Sequence, residues 1–187
     1  MSCYANALVH GLPGGLGYTH GTLGAISGEI NRGASWHGTY FIAQQGLNVN
    51  GAGSDATDSA NGSSAGSENW AKNWSVIRQC YIVKENIDMV QDLSDDEKAV
   101  IKAEVTALIA YRYMGMFYRY GGVPIVTRSF EASDDLSAGR ATLEETLQHI
   151  IDLCDEAYAG LPAKQKTENT GRMTQGAVLA IKARALQ

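Results

Sequence analysis

Residues 94–124 read SDDEKAVIKAEVTALIAYRYMGMFYRYGGVP, and this stretch decides the fold. Ser94 followed three residues later by Glu97 is a capping box, in which hydroxyl and carboxylate satisfy orphan amides at a helix start. Asp95 and Asp96 add negative charge where the helix macrodipole is positive. Beyond them Ile101, Val105, Leu108, Arg112 and Gly115 recur every three or four residues, which predicts a helix over 95–119 with one buried stripe. Gly121-Gly122-Val123-Pro124 stops it, since glycine suits the C-terminal cap and proline cannot continue the hydrogen-bond ladder. Ile125-Val126 then reads as a short extended piece.

Working outward, Thr142-Leu143-Glu144-Glu145 is a second capping box and opens a helix over 142–160. Its apolar stripe is Leu143, Leu147, Ile150, Ile151, Cys154 and Tyr158, and Leu161-Pro162 ends it. Thr174 starts a further helix with Ala177, Ala180, Ile181 and Arg184 on its inner face, where small residues permit close helix approach. On the N-terminal side, Trp70, Trp74, Ile77, Tyr81 and Lys84-Glu85 share one face of a helix over 67–90. Residues 11–66 are instead punctuated by Gly14-Gly15, Gly51-Ala52-Gly53 and Asn61-Gly62-Ser63-Ser64, as in a long irregular loop region. The expected class is all-α, a layered stack of helical hairpins, in one domain that is loop-rich over 11–66 and helical over 67–187. No thirty-four-residue self-similarity is visible, so periodicity alone does not specify a named repeat.

The bulk properties bound the function. A chain of 187 residues is enough for one core. A net charge of -5, with lysine and arginine scattered, offers no footprint for a phosphate backbone, so no nucleic-acid partner is expected. Cys3, Cys80 and Cys154 are odd in number and far apart, which suits buried small apolar groups better than disulfides or a zinc site. No run of about 18 apolar residues spans a bilayer, and the first twelve residues lack a secretory pattern. The final helix runs to Ala185-Leu186-Gln187 without a stop signal, so the chain is expected to be a truncated piece of a longer protein.

Three groups of residues, in order, resemble the N-terminal part of the SusD/RagB family. The first is Trp70, Trp74, Ile77-Arg78 and Lys84-Glu85-Asn86-Ile87. The second is Glu104, Leu108-Ile109-Ala110-Tyr111, Tyr113 and Tyr120-Gly121-Gly122-Val123-Pro124. The third is Arg140-Ala141-Thr142, Ile150, Asp152-Leu153, Ala157, Leu161-Pro162 and Gly171-Arg172-Met173-Thr174. Tyr81, Lys84 and Ile109 depart from the family pattern. The resemblance implies a tetratricopeptide-like stack of helical hairpins in a non-catalytic outer-membrane lipoprotein. It also implies an oligosaccharide or other nutrient ligand, and a SusC-like TonB-dependent transporter as partner. Membrane attachment would run only through a lipid anchor on a cysteine upstream of this chain.

For ligand binding, the loop from Arg32 to Tyr40 stands out, with Arg32, Trp36 and Tyr40 as candidates. Aromatic rings suit the C–H faces of sugars, while Asn48 and Asn50 supply paired donors and acceptors for hydroxyls. The competing reading is that Trp36 and Tyr40 pin the loop to the body. Trp70 and Trp74 have core spacing, and Tyr111, Tyr113, Phe117, Tyr118 and Tyr120 read as packing with partly exposed phenols.

Thr57, Ser59, Asn61, Gly62 and Glu68 fit a calcium-loop register except that its first ligand should be Asp. The histidines His10, His20, His37 and His149 are too dispersed for a metal site, and none is expected. Gly14-Gly15-Leu16-Gly17 lacks the rest of a nucleotide fingerprint, so no cofactor is expected either. No nucleophile with a base, and no pair of carboxylates with divided roles, marks an enzyme. The rival to a glycan carrier is a helical-repeat adaptor that binds only another protein.

Overall fold

The computed structural model describes residues 70–187 except 132, 135 and 136, and over these the chain is helical with no strand. In order come α1 (Trp70–Asn86) with a 3-10 turn at Ile87–Met89, α2 (Asp95–Tyr120), α3 (Leu143–Gly160), a 3-10 turn at Thr167–Asn169, and α4 (Gln175–Ala185). The chain divides into two compact units, Pro13–Trp74 and Met1–Leu12 with Ser75–Gln187. The all-α, tetratricopeptide-like class holds for the described residues, and the predicted irregular region lies outside them.

Both predicted capping boxes form. Ser94 Oγ accepts the Glu97 amide at 3.3 Å while the Glu97 carboxylate accepts the Ser94 amide at 2.9 Å. Thr142 and Glu145 repeat the exchange at 3.1 and 2.8 Å. The Ser94 and Thr142 hydrogen bonds hold the two carboxyls below their ordinary values. Such caps typically stabilise a helix by about 1 kcal/mol.

The pairing of the helices follows from who meets whom. At Gly160, the last residue of α3, a Cβ would stand 2.8 Å from Ala103 Cβ near the start of α2, so the two helices run antiparallel with their backbones close. Lys182 pairs with Asp155 at 2.6 Å and Gln175 reaches the Tyr158 carbonyl, so α4 is antiparallel to α3. Asp88, just beyond α1, pairs with Lys102 of α2 at 2.7 Å.

The burial pattern departs from the expected single stripes. Every residue from Ala103 to Ala110 is buried, because α2 packs against α3, α4 and the 3-10 turn after α1. A helix surrounded in this way is mostly apolar or small, and Glu104 is the one charged residue in the run. On α3, Ile150 and Cys154 are buried as expected, but Leu143 and Tyr158 are exposed, and Thr146, Leu153 and Ala157 complete the buried face. On α4, Ile181 is buried as expected, whereas Ala180 and Arg184 are exposed and Val178 and Ala185 take the inner positions. Arg184 lies instead over the Tyr118 ring, 5.7 Å from its centre.

Cys80 and Cys154 are free and buried, as expected of small apolar groups, and burial pushes their thiols up to about 12 and about 11. Cys3 lies outside the described residues.

After α2 the chain turns at Gly121, whose φ of 73° is accessible to glycine at little cost. The following strap, Gly122 to Glu131, has no ladder of its own, so side chains from the helices and from Arg140 satisfy its backbone. Tyr113 Oη accepts the Val126 amide at 2.8 Å, and Tyr81 Oη donates to the Val126 carbonyl at 2.8 Å. Thr146 Oγ1 accepts the Val123 amide at 3.2 Å, Arg140 Nε donates to the Gly122 carbonyl at 2.6 Å, and Glu85 accepts the Ser129 amide at 2.8 Å. A Cβ at Gly122 would fall 2.0 Å from the Ala141 carbonyl oxygen. Gly122→Ala therefore forces strap and connector apart and is expected to cost about 3 kcal/mol, the upper end for overpacking. Gly139→Ala meets nothing within 4 Å and should stay within roughly 0.5 kcal/mol of wild type in urea melts.

His149 of α3 stands edge-on to Tyr113, ring centres 4.7 Å apart, with a buried Nε2 that has no hydrogen-bond partner. Burial pushes its pKa below the ordinary 6.5; Asp152 draws it back up and Lys84 presses it down. Below about 6.5 the unfolded chain thus takes up a proton that the folded chain refuses, and stability falls as pH drops from there towards the folded pKa. His149→Phe should flatten that part of the stability–pH curve measured by urea unfolding.

Candidate functional site

The connector between α3 and α4 folds back over the start of α2, and one buried charge organises it. Glu104 is fully buried on α2 between Ala103 and Val105. Arg172 grips it with two parallel hydrogen bonds, Nε to Oε1 at 2.8 Å and Nη2 to Oε2 at 2.6 Å. Such forked, charge-assisted pairs fix geometry as well as energy. Gln165 Nε2 donates to Met173 O at 2.6 Å and to Glu104 Oε1 at 3.4 Å, and Arg172 Nη1 donates to Asn169 Oδ1 at 3.3 Å. Gly171, at φ 96°, turns the chain so that Arg172 points inward and Thr174 can cap α4.

Between this connector and the first turns of α2 lies a cleft of about 580 Å³, within the range of small-ligand sites. Leu93, Val100, Ile101 and Pro162 give it an apolar wall. Asp96, Glu97, Lys164 and Lys166 are the charges besides Arg172, and Gln165 and Asn169 are the amides. The positive charge of Lys166 adds to the hydrogen bonds from Ser94 in lowering the Glu97 pKa.

The residues singled out for ligand binding, Arg32, Trp36, Tyr40, Asn48 and Asn50, lie outside the described residues. So do the calcium-loop register at 57–68, Gly14-Gly15-Leu16-Gly17, and His10, His20 and His37. Trp70 and Trp74 meet edge to face, ring centres 5.3 Å apart, with Trp70 37% exposed. Tyr113 is fully buried and Tyr118 about half exposed, as expected of packing with accessible phenols. Among the described residues no group of three or more His, Cys, Asp or Glu could hold a metal ion, and no helix is long and apolar enough to cross a membrane.

The profile of a SusD-like family, described as starch-binding and associating with the outer membrane, matches residues 28–186. The chain belongs to the SusD-like family. Among solved structures it is similar to a laminarin-binding SusD-like protein, at TM-score 0.72 and 18% identity over 99% of this chain and 39% of that one. It is also similar to a SusD-like protein from Bacteroides fragilis, at TM-score 0.62 and 21% identity over 98% of this chain and 32% of that one. A third, BT4246, shares 30% identity over 63% of this chain and 20% of its own length, at TM-score 0.58. The chain thus spans between a fifth and two fifths of the length of these relatives. No curated protein sequence matches it significantly.

The SusD-like signatures read from the sequence meet in space. The Gly-Gly-Val-Pro turn packs on Arg140-Ala141-Thr142, and Glu104 of the second signature binds Arg172 of the third. The sequence reading named both residues of that pair without joining them, and it missed Gln165 and Asn169. The available signal was one carboxylate within an Ala-Val-Thr-Ala-Leu run. Arg172→Met removes the charged partner of the buried carboxylate and is expected to cost about 3–5 kcal/mol, whereas Glu104→Leu with Arg172→Met should recover most of it. Urea denaturation of the two variants measures the difference.

Proposed function

We infer that the chain is the N-terminal portion of a surface glycan-binding protein that captures oligosaccharide without chemistry and passes it to a SusC-like TonB-dependent transporter. A lipid anchor holds such a protein to the outer membrane. The observation that carries the reading is the family match over 28–186, with its description of starch binding at the outer membrane. The similarity to a protein named for binding laminarin agrees with it. In this reading the helices are scaffold. Capping boxes, the stitched strap and the Glu104–Arg172 pair keep the body rigid, and long loops carried on a rigid body are where ligand contacts commonly sit. Arg32, Trp36, Tyr40, Asn48 and Asn50 are the proposed contacts, with the two rings stacking on pyranose faces.

The test is affinity electrophoresis of the intact mature protein and a Trp36→Ala variant through gels carrying soluble starch, laminarin and other polysaccharides. Retardation by one glycan, weakened by about tenfold or more in the folded variant, is the expected result, as for loss of an aromatic hot spot of about 1.4 kcal/mol or more. Equal retardation of both proteins removes Trp36 from the site. No retardation in any gel favours the protein-binding adaptor.

A further inference from the structure

The α3–α4 connector cleft presents two amide groups whose orientation is set from behind. Gln165 donates its Nε2 to Met173 O and Glu104, which leaves its Oε1 as an acceptor. Asn169 accepts the Arg172 donor on Oδ1, which leaves its Nδ2 as a donor. Both residues line the cleft, and each is half-buried. The Glu104–Arg172 pair thus holds one acceptor and one donor at the cleft before any ligand arrives, reducing the ordering cost of binding.

The lining charges favour neither an anion nor a cation. Arg172 is matched by Glu104, and the remaining lining charges, Lys164 and Lys166 against Asp96 and Glu97, sum to zero. An anion would meet two carboxylates and a cation two ammonium groups. What suits the site is a neutral molecule with hydroxyls on its edge and a C–H face for the wall of Leu93, Val100 and Pro162.

We propose that this cleft is a saccharide subsite that takes a neutral pyranose unit. Its C–H face lies on Val100 and Pro162, and its hydroxyls bond to Gln165 Oε1 and Asn169 Nδ2. The subsite rests on the glycan reading only for the choice of probe.

Hydrogen exchange with mass spectrometry on the intact protein tests it, with maltohexaose, laminarihexaose and inorganic phosphate as probes. The expected result is saturable slowing in peptides covering 93–101 and 161–174 with one of the hexaoses, and an affinity about tenfold weaker at those peptides in Asn169→Leu, as for one lost polar contact. Asn169 sits half-exposed in the connector, and an unchanged melting temperature establishes that this variant folds. Slowing confined to the 30–50 region overturns the subsite and leaves the glycan reading standing. Slowing at the cleft by phosphate alone makes it an anion site and overturns the proposal. No slowing anywhere with either hexaose overturns the subsite and counts against the glycan reading for these sugars.

Discussion

The described structure depends on one carboxylate placed where water cannot reach it. Glu104 sits on the most enclosed segment of the longest described helix, so leaving it ionised and unpaired would cost several kcal/mol. Arg172 is the answer, and its position is demanding: the guanidinium reaches the carboxylate in a forked geometry only if the connector after α3, residues 161–174, folds back over α2. The pair therefore does more than add attraction. It selects one path for the connector, and that path fixes where Thr174 stands to cap α4. A buried ion pair is weak evidence for stability in itself, but a strong device for choosing one register among many.

The other connector is solved by different means. Between α2 and α3 the backbone of the strap must be satisfied in the absence of any strand partner. Two phenols, a threonine hydroxyl and a glutamate do this from three helices, and Arg140 does it from the connector before α3. Each of these groups is long enough or well enough placed to reach a main-chain atom, and all but Arg140 are themselves held by a helix. The strap in turn ties α1 to α3, so the helices that never exchange a backbone hydrogen bond become one object.

Most of the architecture was legible because it rests on local chemistry. Ser94 with Glu97 and Thr142 with Glu145 announce helix starts through hydrogen bonds within one turn, and Gly121 with Pro124 announces a stop in the same way. The faces were less legible. Leu143 and Tyr158 fit an apolar period on α3 but are exposed, since the true face follows Thr146, Ile150, Leu153 and Ala157, where a hydroxyl and an alanine replace larger apolar groups. Thr146 is buried because its hydroxyl serves the strap, a demand set by a residue far away in sequence. The Glu104–Arg172 pair escaped for the same reason: its partners are 68 residues apart. The loop residues proposed to bind glycan lie outside the described residues.

The two connectors are held to the helices in different ways. The strap is pressed against its neighbours at backbone distance, with Gly122 leaving no room for even a methyl group beside Ala141. The α3–α4 connector is instead tied to α2 through long side chains, with Arg172 and Gln165 both reaching Glu104. A spacer made of polar side chains leaves behind it a volume lined by their unused atoms. The amides at the cleft are thus a consequence of how a buried carboxylate is satisfied, and a ligand that uses them exploits an orientation the fold already requires.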